Sequence, residues 1–332
     1  MVAVPKNLHF SLLDRANSNA GATDAAALQA VVDRARHVED LGYRRILVAE
    51  HHGVPGIPGS TPAVLAAAVA SATTSIRVGT GGIMLPNHQP LIVAEQVATL
   101  EALYPGRIDA GIGSSVGFTE PVRKALRQRD PLGSKARYPE DLEEMLSFLR
   151  GDAAITARPA NGAATPVYLL AGFRSAMLAA RNGLGVILGG PSLFDRSLGV
   201  HEGLRRYREE FVPSAFHGTP HAIVSLNIAV ADTEEAARDL LIPEAWAQVK
   251  ARATGSFGPL EPVAELDESR LTGRERQRLS ELLAQSVYGT PAQVAVQLRD
   301  LQAFTGVDEV LVTGGMSDTE GQRRSDTLLA EI

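Results

Sequence analysis

Residues 79–90 read GTGGIMLPNHQP, a stretch in which an apolar β-type run breaks into glycines and then into a loop between two prolines. Glycines at Gly79, Gly81 and Gly82 leave one wall of this strand without side chains, so a planar ligand could lie against bare backbone. A glycine-weakened edge strand followed by a turn would give the same letters. The pattern of the surrounding chain decides between these interpretations.

On both sides of this stretch, short apolar runs alternate with segments of helical periodicity. The predicted strands cover residues 8–13, 45–49, 76–85, 107–112, 167–171, 184–188, 222–230 and 309–312. Such alternation indicates parallel strands joined by right-handed crossovers, with ligand-binding loops gathered at their carboxyl ends. Eight units in 332 residues predict an α/β protein with a single (β/α)8 TIM barrel domain, residues 1–332, with insertions.

Two stretches interrupt the rhythm, and they define the predicted insertions. Residues 114–165 hold a loop, two helical segments and a connector rich in proline, glycine and alanine. Residues 253–288 are charged and irregular, which is typical of a lid, a binding loop or a mobile flap. A doubly wound open sheet is the alternative architecture, but it usually carries a glycine fingerprint after its first strand, and this sequence has none there.

Composition excludes several classes of function. A net charge of -6 argues against nucleic acid as a partner, because a surface that follows phosphates needs a cationic excess. The chain has no cysteine, which rules out disulfides, thiolate catalysis and zinc–thiolate sites. No apolar run approaches the ~20 residues of a spanning helix, and residues 1–14 lack the features of a signal peptide. We therefore expect a cytoplasmic protein with no membrane partner.

Longer motifs extend along most of the chain with their order and spacing kept. They are AEHH (49–52), IRVGTGGIMLPNHQP (76–90), AEQVATLEALYPGRIDAGIG (94–113), VYLLAGFRSAMLAARNGLGVILG (167–189), GTPAQV (289–294) and DEVLVT (308–313). In these motifs the sequence resembles the bacterial luciferase-like, flavin-dependent monooxygenases. The resemblance implies a (β/α)8 barrel, a homodimer packed through early helices, and oxidation of a small organic substrate by O2. It also implies reduced FMN supplied by a separate flavin reductase.

The resemblance assigns the flavin ring to the glycine-rich strand. Gly81 and Gly82 match the place where the family has a strained, often cis, peptide against the ring, and Met84 continues that wall. Oxygen chemistry on a reduced flavin requires water to be kept away, which suits an apolar pocket with few polar groups.

The flavin phosphate is the part of the cofactor for which the sequence departs from the family. Backbone amides at Ala171 and Gly172, the following helix N-terminus and the Ser175 hydroxyl match one half of the family's phosphate site. Where the family commonly has an arginine after the fourth strand, this chain has Ser114. Arg174 is then the candidate for the replacement charge.

His51 matches the family's active-site histidine on the loop after the second strand. An imidazole exchanges a proton or donates a hydrogen bond near neutral pH, which suits a catalytic role. His52, Ser11 and Phe173 are the predicted substrate contacts. The alternative for residues 50–52 is a strand cap bonded to backbone. We predict no metal, because neighbouring histidines on a loop rarely ligate one ion without a third ligand.

Two other activities remain open for this barrel. Hydride transfer with the deazaflavin F420 would use the same fold with a more open channel for the longer cofactor tail. A flavin-binding barrel without turnover would account for the missing arginine. A metal-dependent hydrolase barrel lacks the necessary ligand spacing.

Overall fold

Eight parallel strands close into a barrel in the computed structural model, which describes residues 8–160 and 165–332 apart from the side chain of Phe173. In chain order the strands are β1 (His9–Asp14), β2 (Arg45–Val48), β3 (Arg77–Met84), β4 (Ile108–Gly113), β5 (Val167–Ala171), β6 (Gly185–Gly189), β7 (Ala222–Val230), β8 (Val287–Gly289) and β9 (Glu309–Thr313). The barrel runs from β1 to β7 and closes through β9, which pairs with both β7 and β1. The predicted (β/α)8 barrel is confirmed.

The short strand β8 is an addition to the barrel that the sequence pattern did not predict. It pairs in parallel with Ile228–Val230 at the end of β7, and it stands at the end of the stretch expected to be irregular. A strand of three residues is too short to show an alternating pattern, so it cannot be recognised in a sequence.

Helices pack around the outside of the barrel. They are α1 (Asp24–Asp40), α2 (Pro62–Ala72), α3 (Pro90–Leu103), α4 (Glu120–Ala125), α5 (Pro131–Arg150), α6 (Phe173–Arg181), α7 (Glu202–Glu209), α8 (Glu234–Thr254), α9 (Gly273–Ala284), α10 (Pro291–Thr305) and α11 (Thr319–Ala330). Local chemistry sets their ends: Thr23 and Thr233 accept hydrogen bonds from backbone amides of α1 and α8, and left-handed Gly255 ends α8. Within the described ranges, none of the helices combines the length and apolar character needed to cross a membrane.

Successive side chains along a strand point to opposite faces of the barrel wall, so the strand residues belong to two different cores. Outward-facing residues such as Leu12, Ile46 and Val310 pack against the helices in the larger core. Inward-facing Leu47, Tyr168, Ile187, Ile223 and Leu311 fill the barrel together with Leu13 and Leu170. The barrel interior is therefore a packed core rather than a channel.

A layer of buried charges closes the barrel at the amino ends of its strands. Arg45 lies 2.8 Å from Asp109 and 2.6 Å from Glu309, and all three side chains are at most 2% exposed. The Ser11 hydroxyl donates a hydrogen bond of 2.6 Å to Glu309. Buried charges persist only when paired and hydrogen-bonded, as these are. Ligands must therefore enter at the opposite, carboxyl end.

The insertions contain more regular structure than the sequence indicated. Helix α9 lies inside residues 253–288, and it begins with a capping box between Thr272 and Glu275. Leu279 and Leu283 of α9 pack with Trp246 of α8 in a core of their own. The prediction of a wholly irregular segment was wrong, because the charged composition hid an amphipathic helix. Residues 114–165 contain α4 and α5, and residues 161–164 of the expected connector lie outside the described part.

Candidate active site

The glycines of β3 make room for neighbouring parts of the barrel more than they provide a bare surface for a ligand. A Cβ on Gly79 would collide with the Asp109 carbonyl of the adjacent β4, so this glycine permits close strand approach. A Cβ on Gly81 would lie 2.6 Å from Leu13 Cδ1 and 2.8 Å from Leu47 Cβ, inside the barrel. The sequence interpretation of Gly79 as ligand wall was therefore wrong. The Gly81–Gly82 peptide is cis, as the family resemblance implied.

A cavity of about 300 Å³ lies at the carboxyl end of the barrel, and we name it the mouth cavity. Gly81 and Ala171, both predicted cofactor residues, line it. The other lining residues are Leu13, Leu170, Ile187, Gly189, Ser225 and Leu311. Ser225 supplies the one polar side chain among these eight. The mouth cavity is thus apolar and stands directly on the packed barrel core.

The N-terminus of α6 lies at the rim of the mouth cavity. Gly172 is its N-cap and provides no side chain to bond the first helical amides. Arg174 is exposed and Ser175 is half-buried in the first turn. Ile112 of β4 is paired with Leu169 of β5. Two residues further along both strands, the same register places half-buried Ser114 beside Ala171. Uncapped amides beside a hydroxyl and a cation suit an anionic group.

The buried carboxylate of Glu50 organises the loops that follow β2 and β3. It accepts hydrogen bonds from His52 Nε2 at 2.8 Å, His88 Nε2 at 2.9 Å, Asn87 Nδ2 at 2.6 Å and the Met84 amide at 3.0 Å. Burial raises the pKa of Glu50, but the hydrogen bonds from His52, His88 and Asn87 outweigh it and lower that pKa to about 2. Glu50 is therefore an ionised hub at neutral pH.

Gln128 connects this hub to the loop that follows β4. Its amide donates to Asn87 Oδ1 at 2.5 Å and to the Pro86 carbonyl at 2.9 Å, while its oxygen accepts from the Gly117 amide at 2.9 Å. Three successive barrel loops are thereby joined through side chains. This joining fixes the position of Phe118, the residue after Gly117.

His51 lies between the Glu50 hub and Phe118. Its ring stacks on the Phe118 ring with centroids 5.8 Å apart and planes at 16°. Its Nδ1 atom is buried and has no hydrogen-bond partner in the described part of the chain. Burial, with a smaller effect of the Arg15 charge, lowers the pKa of His51 to about 4. The imidazole is therefore neutral at pH 7, and its Nδ1 is left without a protein partner among the described residues.

A second cavity of about 620 Å³ lies beside His51, and we name it the chamber. Predicted residues His51 and His52 both line it. The remaining lining residues are Arg15, Gly53, Val54, Pro55, Ile57, Phe118, Thr119, Pro121, Gln248, Ala251, Gly255, Ser256 and Phe257. It is large enough for a drug-sized molecule.

The first residues of the 253–288 segment close one side of the chamber. Phe257 accepts a backbone hydrogen bond from Gly56, and Leu260 exchanges two with Ser18 and Ala20, at 2.8–2.9 Å. These bonds join the segment to the loops after β1 and β2. Residues 255–260 thus form a bonded wall, which agrees better with a binding loop than with the mobile flap that the sequence also suggested.

Arg15 supplies the only Lys, Arg, Asp or Glu side chain among the residues lining the chamber. It is ion-paired with buried Glu244 of α8. Glu244 also accepts hydrogen bonds from the Gly315 amide and, at 2.8 Å, from Gln248 Nε2. This part of the wall is therefore polar but carries a compensated charge.

Glu50, His52 and His88 also form, among the residues described, a group whose candidate ligand atoms lie within 4.8 Å of one another. Two histidines and a carboxylate are a composition that metals accept. The carboxylate already accepts four hydrogen bonds, including one from each imidazole. We interpret the group as a hydrogen-bonded cluster, and the absence of a metal remains a prediction.

Two other predicted site residues, Ser11 and Met84, do not line either cavity. Ser11 is fully buried in the charge layer, where its hydroxyl contacts Glu309, and this position does not support a substrate contact. Met84 donates its amide to Glu50, and its side chain packs on Gly113 rather than lining the mouth cavity. The side chain of Phe173 lies outside the described part, so its substrate role remains a prediction.

Sequence reasoning missed the hub role of Glu50, the chamber residues Arg15, Phe118 and Gln248, and Glu244, which pairs with Arg15. One signal was present for two of them, since charged Glu50 and Arg15 follow strands directly at the ligand-binding end of a barrel. Phe118 and Gln248 carry no comparable signal. Their positions depend on how loops and α8 pack.

Comparison with known proteins agrees with this architecture. The sequence profile of the luciferase-like monooxygenases matches residues 8–309. The chain belongs to that family. A luciferase-like monooxygenase of Escherichia coli K12 is 34% identical over 331 residues, which cover 98% of this chain and 97% of the relative. The N-acetyl-S-alkylcysteine monooxygenase of Bacillus subtilis is 37% identical over 188 residues, covering 54% and 56% of the two chains.

Several solved structures share the fold. The apo form of MsnO8 is 30% identical, with a TM-score of 0.82 over 98% of both chains. The oxygenating component of 3,6-diketocamphane monooxygenase from Pseudomonas putida, in complex with FMN, has a TM-score of 0.70 at 18% identity over 98% and 97% of the chains. The F420-dependent tetrahydromethanopterin reductase of Methanopyrus kandleri has a TM-score of 0.67 at 16% identity over 98% of both. The latter two resemblances concern fold alone.

Proposed function

We propose that this family member is a flavin-dependent monooxygenase that uses reduced FMN and O2 to oxidise a small organic molecule. In the net reaction the substrate gains one oxygen atom, the other leaves as water, and reduced FMN gives up two electrons and two protons. The observation that carries the proposal is the neutral, buried imidazole of His51, whose Nδ1 has no partner and which lines the chamber.

The residues towards the carboxyl ends of β3 and β5, which flank β4, fit a flavin. The mouth cavity offers apolar walls for the ring at Gly81 and Ala171. The uncapped start of α6, with Ser175 and Arg174, suits its phosphate. Bound FMN would supply the electrons that activate O2, which protein side chains cannot do alone. The FMN complex of the Pseudomonas putida enzyme, which has the same fold, supports the choice of FMN.

His51 would act on the reaction as a hydrogen-bonding or proton-exchanging group. Because its ring is neutral at pH 7, one nitrogen can accept a proton while the other donates. Phe118 fixes one face of the ring and the Glu50 hub fixes the adjacent residue, so the orientation of the imidazole is set before a ligand binds. Phe118 and the wall at residues 255–260 would limit the access of water.

F420-dependent hydride transfer is the second candidate, because the same fold occurs in an F420-dependent reductase. Ser114, in place of an arginine, leaves one side of the phosphate site without a cation, so FMN has to rely on Arg174 and the helix amides. Binding measurements separate the two cofactors directly. A barrel that binds flavin without turnover would be distinguished by the absence of product.

We also propose a homodimer and a separate flavin reductase as partners, in the cytoplasm. Exposed apolar side chains on the outer faces of α2 and α3 support the dimer: Val64 is 70% exposed, Ile92 46% and Leu103 62%. Both helices are apolar on nearly all sides, which is typical of helices that are covered on both faces. A second copy of the chain is the partner that this surface suits.

Cofactor binding is the first experiment. Titrate the protein anaerobically with reduced FMN, then with oxidised FMN and with F420. We expect reduced FMN to bind well below about 1 mM, the weakest affinity compatible with the proposal. If the protein binds F420 but not FMN, F420-dependent hydride transfer becomes the assigned function.

The second experiment follows oxygen. Incubate the enzyme with chemically reduced FMN, ¹⁸O2 and a panel of ketones and thioethers, and detect labelled products by mass spectrometry. His51→Ala should lower product formation by about 10²-fold or more while the Kd for FMN stays nearly unchanged. His9→Ala, at an exposed site on β1, is the control. Equal product from both variants would contradict the role of His51.

A further inference from the structure

The chamber carries information about the substrate that the family does not supply. Its volume of about 620 Å³ is twice that of the mouth cavity. Four apolar side chains come from three separate parts of the chain, at Val54 and Ile57, at Phe118 and at Phe257. An apolar space of this size favours a substrate that buries a large hydrophobic surface.

The electrostatics of the chamber exclude a strong charge preference. Arg15 is the single Lys, Arg, Asp or Glu side chain in the lining, and Glu244 neutralises it from behind. Glu244 in turn accepts hydrogen bonds from Gln248 and Gly315. His51 is neutral at pH 7. A charged substrate would lose its hydration in an apolar space and gain no uncompensated counter-charge, which is unfavourable.

Aromatic surface is left exposed in the chamber. The Phe118 side chain is 62% exposed although its ring stacks on His51 and its backbone is held by Arg123 Nη1 at 3.1 Å. A large apolar side chain fixed in this exposed position offers a flat face to a ligand. Phe257 provides a second ring in the lining.

We propose that the chamber binds a neutral, ring-bearing organic molecule with a hydrogen-bond acceptor such as a carbonyl, and that Phe118 and Ala251 determine its specificity. The acceptor would meet the donors on the polar side of the chamber, at Arg15, Gln248 or His51. Describing this ligand as the substrate rests on the proposed function. Its binding to the chamber does not, because the lining contains none of the predicted cofactor residues.

Two probes of nearly equal shape test the charge selectivity. Measure binding of 2-acetylnaphthalene, a neutral ketone, and of 2-naphthoate, an anion, to the flavin-free protein by fluorescence titration at pH 7.5. We expect the ketone to bind at least about tenfold more tightly. Equal or tighter binding of the anion would overturn the inference of a neutral ligand.

Matched variants on α8 test the location. Ala251 lines the chamber, whereas Ala253 on the same helix is exposed and outside it. Ala251→Trp fills the chamber and should weaken ketone binding by about tenfold or more, since the ring then clashes with tryptophan. Ala253→Trp should leave it unchanged. Equal affinities of the two variants would show that the ketone binds elsewhere.

Phe118→Ala tests the stacking contact. It should weaken ketone binding by about three- to tenfold, the usual range for an aromatic contact. Unchanged affinity would remove Phe118 from the specificity determinants. Because these titrations contain no flavin, failure of oxygen transfer with intact ketone binding would refute the proposed function alone. Labelled product from an anionic substrate without ketone binding would refute this inference alone.

Discussion

The Glu50 carboxylate, just after β2, accepts a hydrogen bond of 2.6 Å from the side-chain amide of Asn87, in the loop after β3. The two residues are 37 positions apart in sequence and belong to neighbouring strand ends. Together with Gln128, which bonds Asn87 from the other side, they hold three loops of the candidate site in one arrangement. The arrangement of the three loops at the carboxyl end of the barrel therefore depends on the ionised side chain of Glu50.

Glu50→Gln should destabilise the fold. The neutral amide replaces one acceptor oxygen by a donor group, which faces the N–H groups that the carboxylate accepted. We expect the free energy of unfolding in urea to fall by about 2–4 kcal/mol, because buried donors lose a charged acceptor. Glu143→Gln, which removes an exposed pair with Arg150, should change it by less than about 1 kcal/mol. Equal losses in the two variants would contradict the hub role.

Acid should destabilise the folded protein through His217, which lies at the closed end of the barrel. Burial lowers the pKa of His217 to about 4 from an ordinary value of 6.5. Between those two pH values the unfolded chain binds a proton that the folded chain does not, so stability declines as the pH falls from 6.5. Above 6.5 this effect is absent.

Urea denaturation at pH 7.5 and pH 5.0 measures this effect. His217→Gln keeps a donor for the Val167 carbonyl, which lies 3.0 Å from His217 Nε2, but cannot titrate. Its stability loss between the two pH values should be smaller than that of the wild type by about 1–2 kcal/mol. His9→Gln, at an exposed position, should behave as wild type. An unchanged loss in His217→Gln would assign the acid sensitivity to other groups.

FMN binding should depend on the first turn of α6 through the phosphate. Arg174→Ala and Ser175→Ala should each weaken FMN binding by about tenfold, the loss expected for one charge-assisted contact. Arg181→Ala, at the other end of the same helix, is the control. Riboflavin lacks the phosphate, so its affinity should not respond to any of the three changes. Calorimetric titration with both ligands measures this, and equal weakening of riboflavin would refute the phosphate site.

The outer faces of α2 and α3 should hold the homodimer together. A carboxylate there would be buried without a partner, so Val64→Asp and Ile92→Asp should each convert the protein to a monomer of 35.2 kDa. Sedimentation velocity distinguishes the monomer from a species of twice that mass. Val212→Asp changes an apolar residue that is 54% exposed elsewhere on the surface and should not affect the mass. A wild-type chain that sediments as a monomer would refute the dimer itself.

The barrel was predictable from sequence because its strands are continuous apolar runs separated by helices of regular period. The same reasoning failed where an element was very short or where charged residues masked its apolar periodicity. β8 has three residues, and α9 was hidden by charged residues although Thr272 and Glu275 have the spacing of a capping box. That spacing was the available signal.

The site was predictable in part, for residues directly at strand ends. His51 and Gly81 lie at cavities because β2 and β3 place them there. Three of the four hydrogen-bond partners of Glu50 lie 34 to 38 positions further along the sequence. No local sequence pattern indicates such distant pairs. Gly79 was misassigned because its missing Cβ faces a neighbouring backbone, a relationship that exists only in the assembled sheet.

Helix α8 also makes this barrel a convenient scaffold for laboratory evolution. Glu244, Gln248 and Ala251 follow one another at helical spacing, with Glu244 anchoring Arg15 and the other two lining the chamber. Mutagenesis restricted to position 251 would alter ligand contacts while the Glu244 ion pair, its hydrogen bond from Gln248 and the barrel strands remained intact. Under the proposed function, a change of substrate range at position 251 would be separated from this ion pair by about two turns of a single helix.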